Sequence, residues 1–251
     1  MQELFNPFSL DGKNILVTGA SSGIGRAIAI SCSKMGARII LNGRNLSRLE
    51  EALSNLFGDG HCAVVADLCD EDSVADLVAK LPNLDGIVHC AGVANRVPCK
   101  SIAKDNIAEI MSANMEAPIL LQAKILQNKK LNKSSSIVFI ASRAAEFPSV
   151  GNAIYSASKG ALISYSKCLA LELASRLIRV NCICPGMVWT DLIENVLDHE
   201  SLLLSEAKYP LKRFGKVEDI AFLVIYLLSD ASSWMTGECL NISGGGEGVL
   251  M

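Results

Sequence analysis

The sequence lacks the usual marks of a metal or disulfide protein. Its nine cysteines are an odd number scattered along 251 residues, with no C-x-x-C pair, and the only histidines are His61, His89 and His199. Neither a disulfide framework nor a zinc site is expected, and no metal is assigned. Cys182 and Cys184 alternate on an apolar run, so they share one face and should behave as small buried hydrophobes. Long apolar runs are missing as well: the longest, Ile220–Leu228, is far too short to cross a bilayer. The first residues, Met1-Gln-Glu-Leu-Phe-Asn-Pro7, carry neither a basic start nor an apolar stretch, so a cytoplasmic location is expected. Charge of one sign is absent too. A formal net charge of -3 offers no footprint for nucleic acid or an anionic membrane. Finally, no G-x-x-x-x-G-K-S/T occurs, which argues against a P-loop nucleotidase.

What is present is a regular alternation. Short β-branched runs are predicted as strands at Asn14–Thr18, Arg38–Asn42, Cys62–Val65, Gly86–Cys90, Ser136–Ala141, Arg179–Cys184 and Glu238–Ile242. Helical patterns lie between them at Gly25–Met35, Ser47–Leu56, Asp70–Lys80, about Lys104–Lys130, Ala153–Ser175 and Val217–Leu228. Strand–helix alternation means right-handed crossovers, hence an α/β fold with a doubly wound parallel sheet and helices on both faces. With no repeats and no linker, residues 1–251 read as a single Rossmann-type domain of about seven strands. The stretch from about 187 to 211 breaks the alternation. It would overhang the carboxyl edge of the sheet as a substrate lid, or else be an extra structural helix.

Thr18-Gly19-Ala-Ser21-Ser22-Gly23-Ile24-Gly25 follows the first strand and opens the first helix. Three glycines permit a tight turn and close backbone approach to a pyrophosphate, which the helix N-terminus attracts. At the end of the second strand, Leu41-Asn-Gly-Arg44 has no acid to bond a ribose 2′-hydroxyl. Arg44 can instead fork onto a 2′-phosphate, which favours NADP(H) over NAD(H), although a solvated loop arginine is the bland alternative. Asp67-Leu68 would lie near the adenine, or Asp67 could cap the next helix.

Tyr155-Ser-Ala-Ser-Lys159 sets a phenol and an ammonium one helical turn apart, on one face. A cation about 4 Å away at an effective dielectric of about 20 favours the phenolate by roughly 4 kcal/mol, enough for acid/base work. Within Met111–Pro118, Pro118 has no N–H to give the carbonyl of Asn114, so the helix should break its ladder there and free that carbonyl for a water.

Taken in order, Thr18–Gly25, Asp67-Leu68, Cys90-Ala91-Gly92, Asn114, Ser142, Tyr155/Lys159 and Pro185-Gly186 resemble the short-chain dehydrogenase/reductase family from about Leu10 to Gly246. The resemblance implies that Tyr155 donates or accepts the reaction's proton and that Lys159 supports it and holds the nicotinamide ribose. It implies further that Ser142 polarises the substrate oxygen and that Asn114 joins a water-mediated proton relay. Met187, Val188 and Thr190 would meet the nicotinamide carboxamide. One departure is Cys90, where the family usually has an asparagine that braces the sheet, which puts local stability in question.

The segment Tyr209–Ile220 resembles 3-oxoacyl-[acyl-carrier-protein] reductases, so an acyl-thioester substrate is expected, with acyl carrier protein as a possible partner. Leu192, Ile193, Val196, Leu197 and Leu202–Leu204 would cover an acyl chain. Lys129, Lys130, Lys133, Arg176 and Arg179 could dock the carrier, or simply be solvated helix ends. The alternatives are a sugar or polyol dehydrogenase, a ketoreductase of polysaccharide synthesis, and a non-catalytic nucleotide sensor. The resemblance also implies a homotetramer or homodimer.

Overall fold

The computed structural model describes residues 5–190 and 199–246. Seven parallel strands form one sheet in the order β3-β2-β1-β4-β5-β6-β7. They are β1 (Asn14–Val17), β2 (Arg38–Gly43), β3 (Cys62–Val65), β4 (Leu84–His89), β5 (Leu131–Ile140), β6 (Arg179–Pro185) and β7 (Cys239–Ile242). The helices are α1 (Gly23–Lys34), α2 (Leu46–Ser54), α3 (Glu71–Lys80), α4 (Lys104–Met111), α5 (Ala117–Gln127), α6 (Ala153–Leu173), α7 (His199–Lys208) and α8 (Val217–Leu228). This is the expected doubly wound arrangement. No helix among the described residues is long and apolar enough to cross a membrane.

The strands are apolar on both faces because both faces are covered. On β1, Ile15 and Val17 join the layer under α1, α2 and α8, while Leu16 joins the opposite layer. On β5, Val138 and Ile140 take the first side, and Ile137 and Phe139 pack beneath α3, α5 and α6. Cys182 and Cys184 lie together in the second layer, as their spacing predicts. Cys239 on β7 joins them: the three sulfurs lie within 4.8 Å of one another, and the Sγ atoms of Cys184 and Cys239 are 3.1 Å apart.

Two boundaries differ from expectation. The predicted helix over Lys104–Lys130 is three pieces, with a π turn at Ser112–Glu116 between α4 and α5. There the N–H of Ala117 bonds the carbonyl of Ser112, five residues back, just before Pro118. The ladder therefore breaks where the proline requires it. Strand β5 begins at Leu131 rather than Ser136. Leu131 pairs with Leu84 before a register irregularity, and Ser134 takes φ 63° within it.

Candidate active site

The chain runs from β1 outward to β3, then returns to place β4 on the other side of β1. Open α/β sheets form a crevice at such a switch point, outside the carboxyl ends of the strands. Here the crevice is a cleft of about 630 Å³, lined by the turn after β1, the ends of β2 and β4, the loop after β5, helix α6 and the turn after β6.

Gly19 takes φ 64°, and a Cβ on it would lie 2.8 Å from the Cα of Ala91, so only glycine permits this approach of β1 to the loop after β4. Helix α1 then starts at Gly23 with no side-chain cap on Ser22 and no acid in its first turn. By contrast, α2 is capped by Asn45 and α3 by Asp70. The N–H groups of α1 are thus left for an anion in the cleft.

Of the residues predicted to hold the nucleotide, Gly19, Ser21, Ser22, Gly23, Ile24, Gly25, Arg44, Asp67 and Leu68 line this cleft. So do Cys90, Ala91, Gly92, Pro185, Gly186, Val188 and Thr190. Asp67 is not a helix cap: Asp70 accepts from Ser73 N, while Asp67 Oδ1 accepts from the nearby Cys69 N. Thr18 is the exception. It is 1% exposed and off the cleft wall, and its hydroxyl accepts from the N–H groups of Cys90 and Ala91. It therefore shapes the nucleotide turn by tying β1 to the loop after β4 rather than by facing the cleft. At Cys90 the backbone is thus braced by Thr18, and burial pushes its thiol up to about 12, against the opposing pull of Lys159.

Met187 gives its carbonyl to Gly215 N at 2.9 Å, and Trp189 N bonds Gly215 O at 3.0 Å. These bonds fasten the strand-like stretch at Val188 and leave the Val188 N–H without a partner among the described residues. The Thr190 hydroxyl lies 3.4 Å from the Val188 carbonyl. The lining fits a dinucleotide: the uncapped start of α1, the Arg44 side chain and the free N–H of Val188 all lie along this wall.

The four predicted catalytic residues converge across α6, the end of β5 and the π turn. Tyr155 and Lys159 share one face of α6, with Lys159 Nζ 5.8 Å from the centre of the Tyr155 ring. Lys159 is buried and donates to the carbonyl of Ile140 at 2.9 Å. That leaves two of its three donor protons for other partners. The Ser142 hydroxyl accepts from Ala144 N at 3.1 Å, so its own proton remains for a substrate oxygen. Asn114 is 0% exposed, and its side chain is fully occupied: Oδ1 accepts from Val93 N at 2.7 Å, and Nδ2 donates to Val93 O at 2.8 Å and Ser158 Oγ at 3.2 Å. The side chain thus pins the loop after β4.

A family model described as enoyl-(acyl carrier protein) reductase matches residues 19–247. The chain belongs to the short-chain dehydrogenase/reductase family. It is 31% identical to the 3-oxoacyl-acyl-carrier-protein reductase FabG of Rickettsia felis, over 94% of this chain and 97% of that one. It is 35% identical to the L-xylulose reductase of Caenorhabditis elegans, over 95% and 97% of the two chains. A solved Beutenbergia cavernae structure, described as an NAD(P)-dependent gluconate 5-dehydrogenase with NADP bound at low occupancy, superposes with a TM-score of 0.86 at 32% identity, covering 96% of this chain and 99% of that one.

Several features of this family member were not predicted from sequence. Arg48 lines the adenosine end beside Arg44, and its position four residues on, one turn into α2, was the available signal. Arg96, Arg143, Phe147, Asn152 and Tyr209 line the substrate end, on loops with no local pattern to mark them.

The residues expected to cover an acyl chain fall into two groups. Leu192, Ile193, Val196 and Leu197 lie outside the described residues. Leu202 packs with Tyr209 and Phe214 in a small core, and Leu203 and Leu204 are exposed, so none of Leu202–Leu204 lines the cleft. The Glu206 carboxylate on α7 joins that helix to the turn after β6, accepting from Trp189 Nε1 and Phe214 N, both at 2.8 Å.

The basic residues considered for carrier docking sit at the other end of the sheet. Arg179 opens β6 and donates to Ser232 Oγ and Ser229 O. Arg176 donates to Leu131 O, and Lys130 to Leu81 O. Seven residues of β6 at about 3.3 Å each put roughly 20 Å between Arg179 and the cleft edge.

Proposed function

We propose that this protein is an NADP(H)-dependent oxidoreductase that interconverts a ketone and a secondary alcohol, with Tyr155 as the acid/base. The observation that carries the reading is the meeting of Tyr155, Lys159 and Ser142 in one cleft with an uncapped helix and Arg44. The bound dinucleotide supplies or takes up the hydride. Ser142 donates its proton to the substrate oxygen and holds the carbonyl against Tyr155. As reduction proceeds, the Tyr155 hydroxyl gives its proton to that oxygen. Lys159 sets positive charge where phenolate charge develops and offers its remaining protons to the ribose and to a water at the Asn114 carbonyl.

Two substrate classes follow from the relatives. Reduction of 3-oxoacyl thioesters is supported by 31% identity along nearly the whole chain, as is a cytoplasmic place. Small polyhydroxy ketones and acids are supported by the xylulose and gluconate relatives. They are favoured by a substrate end carrying Arg96, Ser149 and Asn152, and by the remoteness of the basic residues from the cleft. Exposed Ile107, Leu120 and Leu171, on α4, α5 and α6, support self-association through those helices.

The test is NADPH oxidation against acetoacetyl thioester, 5-ketogluconate, a neutral ketose and an aromatic ketone in parallel. Tyr155→Phe should abolish turnover while the fluorescence titration of NADPH binding stays within about threefold of wild type. Turnover retained by Tyr155→Phe would overturn the reading.

A further inference from the structure

The cleft is strongly unbalanced in charge. Among the described residues, Arg44, Arg48, Arg96, Arg143 and Lys159 line it, against a single carboxylate, Asp67. Arg44, Arg48 and Asp67 belong to the adenosine end, on the turn after β2, the first turn of α2 and the turn after β3. Lys159 is committed behind Tyr155. Two arginines remain at the substrate end, and they differ.

Arg143 directly follows Ser142 and is largely compensated. Its Nη1 lies 2.7 Å from Glu146 Oε2, its guanidinium lies 4.4 Å over the Phe147 ring, and its side chain is 8% exposed. It is a wall of the cleft. Arg96 is exposed and has no acidic partner among the described residues.

The loop carrying Arg96 is nonetheless held at both ends. The Asn114 side chain grips Val93, and Val97 N donates to Gly151 O at 2.8 Å. Gly151, with φ 81°, comes close to Arg96: a Cβ built on it would lie 3.6 Å from the Arg96 Cβ. Gly151 is directly followed by Asn152, the N-cap of the helix that bears Tyr155. The backbone at Arg96 is thus fixed against the start of the helix that bears Tyr155, and its guanidinium, without an acidic partner among the described residues, lines the same cleft.

We propose that Arg96 binds a carboxylate of the substrate, and that the substrate is a small keto acid or its hydroxy acid rather than a neutral ketone. This rests on the oxidoreductase reading above and narrows it. In the reducing direction the carbonyl carbon gains a hydride from NADPH, its oxygen gains the Tyr155 proton, and NADP⁺ is released. The carboxylate is unchanged throughout. It sits on the planar fork of Arg96, which matches its geometry, and its distance from the ketone selects which carbonyl meets Ser142.

The decisive measurement compares 5-ketogluconate with a neutral ketose of the same chain length, in wild type, Arg96→Gln and Arg96→Lys. Wild type should prefer the anion. Arg96→Gln should cut that preference about tenfold to a hundredfold, chiefly through KM, as expected for loss of a charged hydrogen-bonded pair. Arg96→Lys should recover part of it.

Calorimetric binding of 5-ketogluconate to the Tyr155→Phe protein with NADP⁺ reads the same contact without turnover and should weaken equally with Arg96→Gln. Equal use of both ketones with a preference unmoved by Arg96→Gln overturns the inference while leaving the oxidoreductase reading intact. Turnover only of acetoacetyl thioester or the aromatic ketone does the same. Absence of turnover on every ketone overturns the oxidoreductase reading, and the calorimetric arm then decides Arg96 alone: no binding, or binding unaffected by Arg96→Gln, refutes it.

Discussion

Replacing Asn114 by alanine separates two roles that meet at one residue. The family role needs its backbone carbonyl, which alanine keeps. The side chain does something else: it pairs with both the N–H and the C=O of Val93 and donates to Ser158. Asn114→Ala leaves the two Val93 groups without those partners at a partly buried site. At the low end of about 1–3 kcal/mol per unsatisfied group, with a small cavity added, the loss is about 2–4 kcal/mol. For a chain of this size, each kcal/mol moves Tm by about 2–4 °C, so a fall of roughly 5–15 °C is expected.

Differential scanning calorimetry with and without NADPH measures it. Turnover measured well below the lowered Tm should fall too, because Val93 lines the cleft beside Gly92. Asn114→Asp should rescue little: it keeps the acceptor for Val93 N but turns an acceptor toward Val93 O and the Ser158 hydroxyl. A Tm within 2 °C of wild type for Asn114→Ala would refute the claim that this side chain holds the loop.

Arg44→Asp should lower the preference for NADPH over NADH about tenfold or more, since it replaces a phosphate fork with a repelling carboxylate; an unchanged ratio of the two kcat/KM values would remove Arg44 from cofactor selection. His89 is buried, stacks on Phe139 with ring centres 4.5 Å apart and meets Gln122 at 3.0 Å. Burial lowers its pKa from 6.5 to about 4, with the Gln122 bond opposing. The unfolded chain therefore binds the extra proton first. Stability is full above pH 6.5 and falls as the pH drops toward 4, by up to roughly 3 kcal/mol. Urea unfolding of His89→Phe across that window should show a flatter profile, and an identical slope would be evidence against the assignment.

The layered fold was legible because burial on both faces forces uninterrupted apolar strands, as at Ile15–Val17 and Ile137–Ile140. The nucleotide turn was legible because only glycine permits the approach at Gly19. Pro118 was legible as a break in the helix ladder for the same kind of reason, a hard constraint of one residue on the backbone. Arg96 and Arg143 carried no such mark, since their places depend on the loops after β4 and β5 meeting at the cleft. Thr18 was misplaced because a hydroxyl at a motif's first position can face the cleft or the neighbouring strand, and only the packing of β1 on β4 decides. The placement of Arg176 and Arg179 was not legible for a topological reason: parallel strands put their amino ends at the end of the sheet opposite the cleft.

Glu206 has a consequence for how such a protein can change its diet. The nucleotide half is woven into the sheet by many backbone bonds. The outer wall, by contrast, is held among the described residues by the Glu206 carboxylate reaching Trp189 and Phe214, by a short bridge at Gly215 and by Arg213 on Asp219. Exchange of the segment between them for another sequence can redraw the chamber while the coenzyme seat stays put. Novel appetites are therefore open to this scaffold without rebuilding its engine.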